Sequence, residues 1–199
     1  MRWFYFFSRF VLRMWCRIWL RACHCDEDNI PTDGPVILAA NHASHLDPLV
    51  LGVFVHRRVW YVARSSLEKM PLVNIWMRSV GIIFIDRKAP GREAIGRVIQ
   101  KLAEDEVVGM FPEGTRTKDG GIGAFQRGML LLLKKSHARV VPVGIRGTFA
   151  ALPPGKFFPR PRRCSVHFGK ARSAEEVLAP GGLEALRQEV AALSATELA

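Results

Sequence analysis

Short apolar runs alternate with amphipathic stretches through most of the chain. Residues 35–40 (PVILAA), 59–63 (VWYVA), 81–85 (GIIFI), 107–111 (VVGMF), 140–145 (VVPVGI) and 164–168 (CSVHF) are apolar and mostly rich in β-branched side chains, the pattern of strands buried on both faces. Between them lie segments with helical patterning. One begins near Asp47, where the Asp47 carboxylate suits a cap and Pro48 the first helical position. Others cover 67–79 (despite Pro71), 91–104 and 125–136, and a last one covers about 174–197, with a break at Pro180-Gly181-Gly182. Strands alternating with helices predict an α/β fold: a single domain with a largely parallel central sheet flanked by helices.

Residues 1–22 follow a different rule. Arg9, Arg13, Arg17 and Arg21 recur every four residues, and Arg2 joins them on the helical wheel, together covering an arc of about 120°. Aromatic and aliphatic side chains, among them Trp3, Phe6, Phe7, Phe10, Met14 and Ile18, fill most of the rest. The arginines interrupt every apolar stretch long enough to span a bilayer or to act as a secretory core. The pattern fits an amphipathic helix lying in a membrane interface, arginines toward lipid phosphates and aromatics at headgroup level; the competing reading is a helix packed on its own domain. The chain therefore divides into a basic, aromatic membrane-interface helix at 1–25 and an α/β domain at 26–199.

At 199 residues the chain suits one domain, and its formal charge of +11 calls for an anionic partner. No helix-turn-helix, zinc-finger or RNA-binding signature is present, so a membrane lipid surface is preferred to nucleic acid. Cys16, Cys23, Cys25 and Cys164 form no disulfide framework, which fits a reducing compartment and hence the cytoplasmic face of a membrane. Cys23-His24-Cys25 is too tight for an ordinary zinc site and has no partner pair.

Chemistry-bearing residues collect just past the strand ends. His42 and Asp47 follow the first strand, Arg64 the second and Arg87 the third; Glu113, Gly114, Thr115 and Arg116 follow the fourth, and Arg146 the fifth. Ligands of open α/β sheets bind along that edge, and converging guanidinium groups suit a phosphate. Five positions apart on one helix, His42 and Asp47 would point away from each other, but a turn that folds back lets them bond. A carboxylate on one imidazole nitrogen leaves the other free to take a proton from a hydroxyl. Taken alone, the cluster also admits a plain turn with a helix cap, or metal ligation by His42, His45 and Asp47.

Four blocks in order resemble the glycerophospholipid acyltransferases of the 1-acylglycerol-3-phosphate acyltransferase (PlsC-like) group. His42 to Asp47 is similar to the H-x4-D block, 81–87 (GIIFIDR) to the second, 111–116 (FPEGTR) to the third and 140–145 (VVPVGI) to the fourth. The resemblance implies an acyltransferase domain that moves an acyl chain from acyl-CoA or acyl carrier protein to the sn-2 hydroxyl of lysophosphatidate, or to another lysophospholipid or lipid hydroxyl, without metal or organic cofactor. It implies His42 as general base, Asp47 as its orienter, and Arg87, Glu113, Gly114, Thr115 and Arg116 around the acceptor; the strand-end pattern adds Arg64 to that group. Arg64 stands where many relatives carry Lys, and Thr117 where they often carry Ser. Two other functions compete: a non-catalytic basic membrane-binding protein and a metal-dependent hydrolase.

Overall fold

The computed structural model describes residues 2–64, 81–85 and 90–195; the helix expected at 67–79 and Arg87 lie outside them. Among the described residues seven strands form one sheet: β1 (Cys23–Cys25), β2 (Val36–Ala40), β3 (Val59–Arg64), β4 (Ile82–Ile85), β5 (Val107–Met110), β6 (Arg139–Arg146) and β7 (Ser165–Phe168). Their order is β1-β7-β6-β2-β5-β3-β4. All neighbouring pairs run parallel except β6 with β7. The helices are α1 (Arg2–Trp19), α2 (Asp47–Phe54), α3 (Pro90–Ala103), α4 (Gly128–Ser136), α5 (Thr148–Ala151), α6 (Ala174–Leu178) and α7 (Gly182–Ser194).

The sheet is covered on both faces, as a parallel sheet requires. Along β2, Val36, Leu38 and Ala40 enter an apolar layer with residues of α1 and α2, whereas Ile37 and Ala39 enter the layer built with α3, α4, α6 and α7. Every residue of β2 is buried, which is why its run reads as continuous rather than alternating. On β6, a side chain at Gly144 would meet the backbone of Leu193 at 2.2 Å, so the glycine allows α7 to lie directly on the sheet.

Several boundaries differ from expectation. The sequence predicts no strand at 23–25, since three polar-flanked residues carry no periodic signal, yet they pair with β7 along Cys23–Ser165 to Cys25–His167. The C-terminal segment does part into two helices at the expected Pro180-Gly181-Gly182 break, α6 being opened by a capping box of Ser173 and Glu176. Helix α4 begins at Gly128 rather than at 125, because Gln126 N–H bonds the Pro112 carbonyl at 2.8 Å.

Helix α1 is two-faced. Cys16 and Leu20 are fully buried, with Leu12 and Trp15 packed against the same cluster. Arg9 donates to the Val55 carbonyl and the Arg13 guanidinium lies 5.7 Å over the Phe54 ring, so these two arginines turn toward α2 instead of outward. Phe6, Phe7, Phe10 and Ile18 are more than half exposed. Among the described residues no helix is long and apolar enough to cross a membrane.

Candidate active site

β2, β5 and β6 run parallel side by side, so the residues that follow them meet at one edge of the sheet. Asn41, immediately after β2, holds the first turn in place. Its amide donates to the Ile145 carbonyl at 3.0 Å and accepts from the Ile145 N–H at 2.7 Å, replacing main-chain pairing where β2 has ended. Ser44 fastens the other side, donating its hydroxyl to the Leu152 carbonyl at 2.9 Å.

Asp47 is the first residue of α2, not its cap: the capping position belongs to Leu46, with no side-chain cap bond. The Asp47 carboxylate folds back over the turn. Its Oδ2 accepts from the N–H groups of Ala43 and Ser44, both at 2.7 Å, and lies 2.9 Å from Nδ1 of His42. The side chain is completely buried. Desolvating a carboxylate costs several kcal/mol unless donors replace water; here three donors converge on one oxygen, and a negative charge at a helix N-terminus adds to them. This arrangement presents Nδ1–H to Asp47 and leaves Nε2 of His42 as the basic nitrogen. The imidazole stacks on Phe111, with centroids 4.1 Å apart and planes at 20°. Its side chain keeps 19% of its surface exposed.

Glu113 reaches the same turn from β5. Its Oε1 accepts from the His42 N–H at 2.7 Å and its Oε2 from the Gly123 N–H at 3.0 Å. Burial raises its pKa, against the pull of those two N–H groups. Thr117 N–H donates to the His42 carbonyl at 2.9 Å, so both main-chain polar groups of His42 are held by the 111–117 segment. Gly114 adopts φ +75°, a conformation open to glycine, and it and Thr115 are exposed on the rim. Arg116 lies close enough to His45 to contribute, after desolvation, to lowering the His45 pKa.

Arg64 ends β3 at the same edge of the sheet. Arg146, at the end of β6, is taken up elsewhere: its Nε donates to the Leu193 carbonyl at 2.8 Å. Among the described residues no three His, Cys, Asp or Glu side chains gather as a metal site; His42 and Asp47 bond each other instead of facing a common point. Asn41, Ser44, Phe111 and Gly123 are the contributors that the sequence reading assigned no role. A polar Asn directly after a fully apolar strand was the one available signal.

A family model described as Acyltransferase matches residues 21–146, a span holding His42, Asp47, Glu113 and Arg116. A 1-acyl-sn-glycerol-3-phosphate acyltransferase of Borreliella burgdorferi is 32% identical over 123 residues, 61% of this chain and 49% of that one. The 1-acyl-sn-glycerol-3-phosphate acyltransferase alpha of Mus musculus is 30% identical over 179 residues, 87% of this chain and 61% of that one. The crystal structure of the 1-acyl-sn-glycerophosphate acyltransferase PlsC from Thermotoga maritima superposes with a TM-score of 0.80 at 26% identity, covering 96% of this chain and 81% of that chain. The chain spans about half the length of the first curated relatives it matches. By the family match and by its fold, the chain belongs to the acyltransferase family.

Proposed function

We propose that the chain transfers an acyl group from a thioester, acyl-CoA or acyl carrier protein, to the sn-2 hydroxyl of lysophosphatidate, giving phosphatidate. The observation that carries this reading is the buried Asp47 carboxylate on Nδ1 of His42, at 2.9 Å, beside a turn whose backbone is pinned at both ends. His42 Nε2 takes the hydroxyl proton as the oxygen attacks the thioester carbonyl. The tetrahedral intermediate then collapses, the C–S bond breaks, and the imidazolium returns its proton to the departing thiolate. Asp47 stabilises the imidazolium while it exists. No nucleophilic side chain is needed, because the acceptor hydroxyl is the nucleophile.

Arg116, next to His45, supplies charge for the acceptor phosphate, with Gly114 and Thr115 on the rim beside it; Arg64 and Arg87 are assigned to the same group. Glu113 acts through backbone: with both oxygens engaged by N–H donors, its part is to hold the His42 turn. Residues 1–25 bring the acyltransferase domain, 26–199, to the cytoplasmic face of a membrane. The exposed aromatic face of α1 supports that placement.

The test is acyl transfer from a long-chain acyl-CoA, then from acyl carrier protein, to lysophosphatidate in mixed micelles. Phosphatidate formation supports the reading. Transfer only to lysophosphatidylcholine, or to no lysolipid with either donor, overturns it.

A further inference from the structure

The segment between α5 and β7 is a closed finger rather than a slack loop. Its neck is shut by the Arg160 N–H donating to the Ala151 carbonyl at 2.7 Å. Its tip opens with Pro153-Pro154-Gly155-Lys156, where Gly155 has φ +78° and the Lys156 N–H bonds the Pro153 carbonyl at 3.2 Å. Proline second and a left-handed glycine third describe a type II turn, a conformation these residues hold without folding against anything. The next two residues are Phe157 and Phe158, exposed by 91% and 87%. Two adjacent aromatic rings held almost wholly in water on a preformed turn bury nothing in this chain.

Charge identifies the occupant. Residues 153–163 contain Lys156, Arg160, Arg162 and Arg163 and no acidic residue, and all four cations are exposed. Aromatic side chains at a tip with several cations around its base match a bilayer carrying anionic headgroups: rings at acyl-boundary depth, guanidinium and ammonium groups at the phosphates. The finger is also joined to α1. The Trp19 indole N–H donates to the Pro159 carbonyl at 3.0 Å, and the Cys164 N–H, just past the finger, donates to the Leu20 carbonyl at 3.0 Å.

We infer that the 153–163 finger is a second membrane-inserting element, Phe157 and Phe158 entering an anionic lipid surface beside α1. The finger leaves Leu152, whose carbonyl receives the Ser44 hydroxyl, two residues from His42. Lipid contact at the finger is thereby tied to the position of the catalytic turn. That last step rests on the acyl-transfer reading; the membrane contact does not.

The experiment is co-sedimentation of the full chain with vesicles of phosphatidylcholine alone and of phosphatidylcholine with phosphatidylglycerol. Both rings are exposed, so the Phe157→Ser/Phe158→Ser double variant is expected to melt as wild type does. Its partitioning onto the anionic vesicles should fall roughly tenfold, and Phe157→Leu/Phe158→Leu should recover most of the loss. Lys156→Glu/Arg162→Glu should weaken binding to the anionic vesicles and leave the neutral ones unaffected. Partitioning of the double serine variant within twofold of wild type overturns the proposal, including the case in which the finger docks on another protein. Because this readout is binding, it stands or falls separately from catalysis.

Discussion

The backbone N–H of His42 donates to Oε1 of Glu113 at 2.7 Å, joining the turn after β2 to the turn after β5. One carboxylate thus fixes the main chain of the residue proposed as base, and its other oxygen fixes Gly123. Burial holds the Glu113 pKa above its ordinary value of 4.5, so the folded chain binds this proton more tightly than the unfolded chain. The stability that this contributes is present below the ordinary value and is lost as pH rises through the raised folded value. Glu113→Gln should remove that slope from a denaturant series taken across the acid-to-neutral range. It should also lower kcat about tenfold, since one N–H then faces an amide NH₂. Parallel stability curves for the two proteins would contradict the assignment.

Asp47→Asn keeps an acceptor but removes the charge that three donors share. We expect kcat to fall by about 10²- to 10⁴-fold, in line with loss of an oriented base, and stability to fall by about 1–3 kcal/mol. Steady-state kinetics beside a urea melt separates the two effects. Full activity with a lowered melting point would make Asp47 structural only.

Arg116→Ala has two expected consequences. The KM for lysophosphatidate should rise roughly tenfold while the donor KM stays constant, because the lost charge is the one proposed to meet the acceptor phosphate. The His45 pKa should move upward, since desolvation first and the Arg116 charge second hold it down; an NMR titration of the imidazole protons reads this directly. An unmoved His45 pKa would separate the two side chains.

A fourth prediction comes from behind the site. A methyl group at Gly109 would lie 2.2 Å from Cε1 of Tyr61; the Tyr61 ring stacks on Phe111, and Phe111 stacks on His42. Gly109→Ala should therefore cost about 1–3 kcal/mol by overpacking and lower kcat although it touches no substrate. Loss of stability with unchanged kcat would show that the ring stack does not transmit to the imidazole.

Much of this was legible from the chain alone. The central strands announce themselves because a strand buried on both faces is an uninterrupted apolar run, and the parallel arrangement gathers whatever follows each run. That logic put His42, Arg64 and Glu113 at the ends of neighbouring parallel strands, and the fold has them there. Arg146 does end β6 at that edge, but its Nε donates to the Leu193 carbonyl, 47 positions away, and no local pattern encodes such a meeting. For Asp47 the sequence allows both a cap and a bond back to His42; the structure has the bond, at 2.9 Å, and gives the capping position to Leu46, because the turn supplies donors behind the carboxylate. β1 was missed since Cys23-His24-Cys25 becomes a strand only through its pairing with β7. The double character of α1 was half visible: periodicity showed the basic and aromatic sectors, but only packing shows that Arg9 and Arg13 turn inward while Phe6, Phe7 and Phe10 stay out.

The central claim is that His42 is the base. The direct measurement is phosphatidate formed from a long-chain acyl-CoA and lysophosphatidate in mixed micelles by wild type and by His42→Ala, with a thermal melt of each. The side chain makes its hydrogen bond to Asp47 from a partly exposed turn, so the variant should fold, while turnover drops by about 10³-fold or more. Turnover by a folded His42→Ala protein at the wild-type rate would contradict the mechanism.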